Sequence, residues 1–250
     1  MNSNKQAETT GTSQRKLAIA AGVLFLTTHV TSVGAAALYT PILSNTGYIV
    51  GAGSDTLVIM GALFEVICAL AIVGTAVALF PAVKKWNEGV ALGYVGLRTL
   101  EAGIIAVGVV PMLAAVTLRQ QLGSTGTDPA TLITLGKTFV VFYNWTALIG
   151  PGLVCGMNTI LMAYLMYKSR LVPRFIPVLG LVGGPLIFVL SAAKMFGMVE
   201  PLSAWVGIAV LPIFSWELTL AIRLIVKGFR SPATASEPAK PITNPLPSTA

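Results

Sequence analysis

The sequence predicts an all-α fold, a polytopic transmembrane bundle of six helices with both termini in the cytoplasm. Composition, six long apolar stretches and an uneven distribution of basic residues support this prediction. Of the 250 residues, 55% are hydrophobic and only 10% are charged, and the mean hydropathy is +0.82. Soluble domains contain about a quarter charged residues and tolerate little contiguous apolar surface. The composition therefore excludes a soluble enzyme, a disordered protein and a disulfide scaffold.

Six apolar stretches are each near or above the roughly 20 residues that cross a bilayer. Their interiors are apolar on every side, which favours helices packed in lipid, and none shows the alternating polarity of a barrel strand. The predicted membrane-spanning helices are residues 17–39, 56–80, 89–118, 138–167, 176–196 and 204–226.

Basic residues are concentrated in alternate connections between these stretches. One set of connections and tails contains eleven of them, and the other set contains only Arg119 and Lys137. By the positive-inside rule, this asymmetry predicts that both termini are cytoplasmic and that the protein lies in the inner (plasma) membrane. The eleven are Lys5, Arg15, Lys16, Lys84, Lys85, Lys168, Arg170, Arg174, Lys227, Arg230 and Lys240.

The composition changes at both ends of the chain. Residues 1–14 are rich in Asn, Gln, Ser and Thr, and residues 229–250 contain five prolines among Ser, Thr and Ala. We therefore predict disordered tails at 1–14 and 229–250 around one transmembrane domain at 15–228. An alternative interpretation of the first stretch is a cleaved signal peptide, because basic residues precede it and Ala35-Ala36-Ala37 resembles a cleavage site. Its length favours a retained helix.

Ionisable residues inside the apolar stretches are the main functional signal. A charge at bilayer depth costs about 2.5–3.5 kcal/mol on insertion scales, so such side chains should face one another or a wet interior. Counting along the helices at about 1.5 Å per residue places them in one polar layer, roughly 13–22 Å from the cytoplasmic ends. The layer comprises His29, Glu65, Arg98, Glu101 and Glu217. Lys194 and Arg223 lie near helix ends, where a long side chain can snorkel to the interface.

The predicted layer has a charge excess. Arg98 offers one positive charge against three glutamates, which leaves two negative charges if all ionise and His29 is neutral. In a low-dielectric interior, this imbalance favours protonation of one or two glutamates, or a shared cation such as H⁺ or Na⁺. The alternative is a purely structural tie between helices.

A second candidate region lies in the fourth stretch. Gly150-Pro151-Gly152 should disrupt the helix, and Tyr143, Asn144 and Trp145 precede it. We interpret these three as candidate substrate-lining residues beside a broken helix, as in several transporters, or else as an aromatic belt beside a proline kink. The pairs Gly89/Gly93, Gly152/Gly156 and Gly180/Gly184 predict close helix packing rather than a phosphate loop.

Other chemistry has little support in the sequence. Cys68 and Cys155 lie in apolar stretches and are expected to be buried thiols. We predict no metal and no cofactor, although His29 with Glu65 and Glu101 offers a weak alternative metal set. No serine or cysteine lies in a recognisable nucleophile motif, and no clustered basic face favours nucleic acid.

Several motifs occur together in order along the chain. They are RKLAIAAGVLFL at 15–26, GALFEV at 61–66, NEGVALGYVGLR at 87–98, GPGL at 150–153, YKSRLVPR at 167–174 and WELTLAIRLIVKGF at 216–229. This set resembles a bacterial and archaeal six-helix membrane family, domain of unknown function 4386. The resemblance implies the same membrane architecture, with Glu65, Arg98, Glu101 and Glu217 at characteristic positions. Some relatives have His-Asp where this chain has Tyr143-Asn144, which weakens any role that needs an acid there.

These observations favour an integral membrane protein that acts as a small proton- or ion-coupled transporter. Its expected partners are the lipid bilayer, H⁺ or Na⁺, an unknown small molecule and a second copy of the chain, without nucleic acid. A membrane scaffold, sensor or partner subunit is the alternative, in which the polar layer only fixes helix pairing. A membrane-embedded enzyme acting on a lipid or quinone-like molecule is a third hypothesis, and the sequence leans against it.

Overall fold

The computed structural model describes residues 2–45, 47–51, 53–121, 126, 128–199 and 204–230, with side chains from Ser13 onward and, in the last helix, from Gly207. Within these ranges the chain is helical and contains no strand. The elements are α1 (Asn2–Leu38), α2 (Thr40–Leu43), α3 (Asp55–Val83), α4 (Glu88–Gln120), α5 (Pro129–Ala147), a π-helical segment (Leu148–Val154), α6 (Cys155–Ser169), α7 (Phe175–Met195) and α8 (Ala204–Lys227).

Six helical runs in the described residues are long and apolar enough to cross a membrane, which confirms the predicted number of spanning helices. Each run contains or closely overlaps one predicted stretch. The largest difference is the fourth run, which begins nine residues earlier, at Pro129 rather than at 138, because Asp128 caps it and Pro129 fits its first turn. The runs are Ser13–Leu38, Asp55–Val83, Glu88–Gln120, Pro129–Ser169, Phe175–Met195 and Gly207–Lys227.

The structure describes the backbone of most of the predicted N-terminal tail but only two residues of the predicted C-terminal tail. The backbone of α1 is helical from Asn2, where we predicted a disordered tail over residues 1–14. Those fourteen residues contain no proline, so nothing in the covalent chain stops a helix from continuing beyond the apolar stretch. Residues 231–250 of the predicted C-terminal tail lie outside the described residues. The tail boundaries stay predictions.

Side-chain caps define where three of the helices begin. The Ser54 hydroxyl accepts a hydrogen bond from the amide of Leu57, the Asn87 amide oxygen accepts one from Val90, and the Asp128 carboxylate caps α5. Each cap satisfies one of the amide groups that a helix start leaves without an intrahelical partner. At the other end of α6, Arg170 adopts a left-handed conformation with φ 54° and ends the helix.

The end of the bundle that contains Arg15 is called the terminal face here. Arg15 donates to the carbonyls of Leu224 at 2.9 Å and Ile225 at 2.7 Å, which joins the start of α1 to the last turn of α8. The backbone amide of Arg230 donates to the carbonyl of Leu171 at 2.8 Å, which brings in the α6–α7 connection. Cations that bind the last carbonyls of a helix also complement its dipole.

The opposite end, called the loop face, is tied together by a second polar contact. Arg119 at the end of α4 pairs with Asp55 at the start of α3, and the Tyr48 hydroxyl donates to the same carboxylate oxygen at 2.7 Å. Burial and this hydrogen bond to Asp55 raise the pKa of Tyr48 to about 12. Tyr48 is therefore protonated at neutral pH and fixes the connection before α3.

Glycines allow the closest helix contacts, as predicted for Gly156 and Gly184, whereas a Cβ on Gly89 would contact no other helix. A Cβ on Gly156 would lie 2.8 Å from the carbonyl oxygen of Gly184, and one on Gly184 would lie 2.9 Å from that of Gly156. The same applies to Gly183, whose Cβ would lie 2.6 Å from the backbone nitrogen of Ile213. Helices α6, α7 and α8 therefore meet backbone to backbone, which is how membrane helices associate without a hydrophobic driving force.

The helix around Pro151 is widened rather than broken, so the predicted interruption takes another form. Residues Leu148–Val154 form a π-helical turn, and α5, this turn and α6 are continuous. Proline cannot donate to the preceding turn, and a π-bulge is one way to accommodate the misaligned hydrogen bonds. Such turns are frequent at functional sites.

Replacing Gly183 tests the packing of α7 on α8. We expect Gly183→Ala to lower the free energy of unfolding by about 1–3 kcal/mol, because the new methyl group meets backbone that cannot move aside. The matched control is Gly103→Ala, at a helical glycine with nothing within 4 Å of the added Cβ. It should instead stabilise the protein, by up to about 1 kcal/mol. Thermal unfolding in detergent measures both, and equal effects would contradict this packing.

Candidate functional site

Four of the five predicted polar residues meet in one cluster. The Arg98 Nη1 atom lies 3.0 Å from Glu101 Oε2, and its Nη2 atom lies 3.5 Å from Glu217 Oε1. The His29 Nε2 atom lies 3.8 Å from Glu217 Oε2. Helices α1, α4 and α8 therefore contribute to one charged cluster, as the sequence predicted for these residues.

A fifth member, Asn158 on α6, was missed at the sequence level. Its side-chain amide donates to Glu101 Oε2 at 2.7 Å, and the residue is only 1% exposed. The sequence signal that could have identified Asn158 is an isolated amide side chain in the otherwise apolar second half of the fourth stretch. We call His29, Arg98, Glu101, Asn158 and Glu217 the charge cluster.

Burial is uneven within the charge cluster. Arg98 and Glu101 are 2% and 3% exposed, whereas the side chains of His29 and Glu217 are 12% and 16% exposed. The Arg98 guanidinium also lies over the rings of Phe25 and Tyr94, at 5.4 and 5.9 Å from their centroids. Aromatic faces stabilise a desolvated cation, so Arg98 has a rigid environment while His29 and Glu217 occupy the more accessible edge.

The hydrogen bond of His29 to the backbone determines which ring nitrogen carries a proton. His29 Nδ1 lies 2.9 Å from the carbonyl oxygen of Phe25, and a carbonyl only accepts, so Nδ1 is the donor. In the neutral imidazole, Nε2 then presents a lone pair towards the Glu217 carboxylate. Two electron-rich groups facing each other are unfavourable, and a proton on either one removes the conflict.

The net charge of the cluster also bears on the His29–Glu217 contact. With Glu101 and Glu217 ionised, Arg98 positive and His29 neutral, the cluster carries one net negative charge. One additional proton makes it neutral. A neutral cluster is less costly to bury than a charged one, so an additional proton at the His29–Glu217 contact would relieve the charge imbalance.

Glu65 does not join the charge cluster, so the prediction of a single five-residue layer is wrong in this part. Its two carboxylate oxygens accept hydrogen bonds from the hydroxyls of Tyr143 at 2.8 Å and Tyr39 at 3.2 Å. The depth count already placed Glu65 about 9 Å further from the terminal face than Arg98, which exceeds the reach of a salt bridge. The rings of Tyr39 and Tyr143 also pack edge to face, at 5.3 Å between centroids.

Three adjoining cavities connect these residues. The central cavity, about 290 Å³, is lined by His29, Arg98, Glu101 and Glu217, and the Glu65 cavity, about 230 Å³, by Glu65 and Tyr143. Both are also lined by Ser32, Cys68, Ile105 and Pro151. The α5–α7 cavity, about 700 Å³, shares Pro151 with both and Ile187 with the central cavity. The π-helical turn thus borders all three.

The three predicted substrate-lining residues are divided between two cavities. Tyr143 lines the Glu65 cavity, whereas Asn144 and Trp145 line the α5–α7 cavity. Lys194, which the sequence predicted to snorkel, also lines the α5–α7 cavity. In the part of the chain that the structure describes, no group of three or more His, Cys, Asp or Glu side chains is arranged to hold a metal ion.

Comparison with known proteins identifies the family. The model of the family named Domain of unknown function (DUF4386) matches residues 20–228, which includes the charge cluster, both tyrosines of Glu65 and the π-helical turn. The chain belongs to this family. No match is found among curated proteins or among solved structures. The DUF4386 membership confirms the resemblance seen in the motifs and defines the membrane domain without assigning an activity.

Removing the positive charge of the cluster should be more damaging than removing a whole pair. We expect Arg98→Gln to cost about 3–5 kcal/mol of unfolding free energy, because it leaves Glu101 and Glu217 without a counter-charge. The double variant Arg98→Gln/Glu101→Gln should lose less than Arg98→Gln alone. The exposed residue Lys85 provides a control, Lys85→Gln, that should stay within about 0.5 kcal/mol of wild type. Additive losses in unfolding measurements would show that the pair is not coupled.

Proposed function

We propose that this DUF4386 protein is a small transporter of the cytoplasmic membrane that couples movement of a small molecule to a proton. The observation that carries the proposal is the His29–Glu217 contact, which lies at the more accessible edge of an otherwise tightly paired cluster. In this proposal the contact binds and releases one proton. Intramembrane ionisable residues of this kind usually belong to ion or proton pathways. An Na⁺ ion at the same carboxylates is the alternative coupling ion.

The cavities supply the second line of support. A transported proton or small molecule needs space that reaches the middle of the bilayer, and the central cavity holds the charge cluster there. The α5–α7 cavity lies beside Lys194 near the loop-face end of α7, and it shares Pro151 and Ile187 with the central cavity. If the π-helical turn widened further, the α5–α7 cavity and the central cavity would join. Irregular backbone is tolerated at membrane depth where it lines a cavity.

Glu65 gives the proposed pathway an intermediate position. Both of its oxygens accept hydrogen bonds from tyrosine hydroxyls, and no described cation lies within ion-pair distance of it. It lies between the charge cluster and the loop face, in a cavity that shares four residues with the central one. In this proposal, Glu65 exchanges protons with the loop-face side while His29 and Glu217 exchange them with the interior.

A structural role for the charge cluster is the second candidate function, and one observation favours it. Arg98, Glu101 and Asn158 are nearly fully buried and mutually bonded, as expected of a tie between α4 and α6 in a membrane scaffold, sensor or partner subunit. A tie of this kind needs no exchangeable proton. The two candidates therefore differ at Glu217 rather than at Glu101.

Proton flux through liposomes distinguishes the two. The purified protein is reconstituted with a pH-sensitive dye inside, and flux is followed under an imposed pH gradient, with and without an Na⁺ gradient. We expect Glu217→Gln to reduce the flux at least tenfold, because it removes the partner of His29 while leaving the Arg98–Glu101 pair intact. The control is Glu88→Gln, an exposed glutamate at the start of α4, which should behave as wild type.

Stability must be measured on the same samples. Flux lost in Glu217→Gln with a thermal midpoint near that of wild type supports coupling. If Glu217→Gln instead leaves flux unchanged, the coupling proposal is wrong, and if it only lowers the thermal midpoint, the structural role is favoured. A flux that follows Na⁺ rather than H⁺ would replace the proton by Na⁺ as the coupling ion.

In the proposed orientation, the terminal face lies in the cytoplasm, because the basic residues are concentrated at this face. In a background with Cys68→Ala and Cys155→Ala, single cysteines at Asn45 and Lys85 lie on exposed positions of opposite faces. We expect an impermeant maleimide added to intact cells to label Asn45→Cys and not Lys85→Cys. The reverse pattern would overturn the orientation but not the helix count.

A further inference from the structure

The α5–α7 cavity has features of a ligand site that the proton pathway does not need. At about 700 Å³, it is more than twice the size of the central cavity and within the usual range for small-molecule sites. One wall is the α7 face with Ile187, Ser191 and Lys194, spaced four and three residues apart and therefore on one side of the helix. The facing wall is formed by α5 and the π-helical turn.

A glycine lets the two walls of the cavity approach each other closely at one point. A Cβ on Gly152 would lie 2.5 Å from the Ser191 hydroxyl oxygen, so glycine is required where the walls approach most closely. Away from this contact, Asn144 and Trp145 remain exposed, with Trp145 at 45%. The cavity is thus bounded at its narrow end by the contact between Gly152 and the Ser191 side chain, and Asn144 and Trp145 are exposed at its wide end.

Charged and polar lining residues lie in one part of the α5–α7 cavity, and apolar ones line the rest. Lys194 is the single charged side chain among the described lining residues, and no described acidic group lies within ion-pair distance of it. Asn144 adds an amide that can donate near the same end. Ile187 lies seven residues before Lys194, or about 10 Å deeper along α7, among Leu148 and Pro151. One end of the cavity is therefore cationic and the other apolar.

We propose that the α5–α7 cavity binds an amphipathic organic anion, with its acidic group at Lys194 and Asn144 and its apolar body against the apolar lining that includes Trp145, Leu148 and Ile187. A volume of about 700 Å³ with a largely apolar lining suits a medium-length apolar chain or a ring system rather than a small polar ion. An acidic headgroup with an apolar body can come from a soluble organic acid or from an anionic lipid. The inference rests on the proposed function in that it assigns the substrate class of the transporter.

Tryptophan quenching by a brominated ligand measures this binding directly. The full-length protein is placed in nanodiscs of uncharged phosphatidylcholine, and bromodecanoate is added while fluorescence is recorded. Bromine quenches only a tryptophan that it touches, and Trp145→Phe identifies the contribution of Trp145 among the four tryptophans of the chain. We expect saturable quenching in wild type that Trp145→Phe removes.

Charge variants test the role of Lys194. Lys194→Gln should weaken binding about tenfold or more, corresponding to about 1.4 kcal/mol, whereas Lys194→Arg should stay within threefold of wild type. Bromodecylamine, a cation of similar length, should give no saturable quenching. Lys137→Gln, at an exposed residue outside this cavity, provides the matched control. Quenching that is unsaturable, indifferent to Lys194→Gln or equal for the cation would overturn the proposal.

Two further arms separate the ligand sources and the two proposals. Competition by phosphatidylglycerol added to the nanodiscs would assign the site to a lipid, and binding that resists it would assign the site to a soluble acid. Absent binding together with Glu217-dependent proton flux would overturn the ligand assignment and leave the coupling intact. Saturable, Lys194-dependent binding without Glu217-dependent flux would support the ligand assignment and overturn the proton coupling.

Discussion

The burial of Arg98 is the constraint on which the rest of the membrane domain depends. A guanidinium 2% exposed at mid-depth needs counter-charges, and the two that contact it come from its own helix, at Glu101, and from α8, at Glu217. This requirement links α4 to α8 through their side chains, while α8 itself packs against α1 and α7. The glycine contacts of α7 with α6 and α8 then close the bundle, and Arg15 secures α1 to α8 at the terminal face.

The second consequence of burying Arg98 is a charge that does not cancel. Two carboxylates stabilise the guanidinium better than one, but with both ionised and His29 neutral they leave one negative charge uncompensated. His29 lies where this charge is accessible, with Nδ1 committed to the Phe25 carbonyl and Nε2 towards Glu217. The same arrangement holds helices together through the Arg98–Glu217 and Glu101–Asn158 contacts, and in the proposed function it offers a proton position at His29 and Glu217. Glu217 therefore belongs to both the structural and the functional interpretation.

Axial positions could be predicted from the sequence, whereas contacts around each helix could not. The apolar stretches define span ends within a few residues, and counting from them gives a depth for each ionisable side chain. That count placed His29, Arg98, Glu101 and Glu217 close enough to meet, and it grouped Glu65 with them because its depth differed from those of His29 and Glu101 by less than one turn. The partners of Glu65 and Glu101, Tyr39, Tyr143 and Asn158, depend on which helices are neighbours and on their rotation. The π-helical turn at Pro151 likewise results from packing, since proline alone predicts only a disturbance.

The protonation of His29 tests the central claim most directly, because it is the one histidine of the chain. Nuclear magnetic resonance of ¹⁵N-histidine-labelled protein in bilayers reports each ring nitrogen separately. The account predicts that Nδ1 carries a proton in every state. It also predicts that the occupancy of the proton between Nε2 and Glu217 changes with pH in wild type, and that this pH dependence is altered in Glu217→Gln. A bare Nδ1 with Nε2 permanently protonated, identical in both proteins, would contradict it.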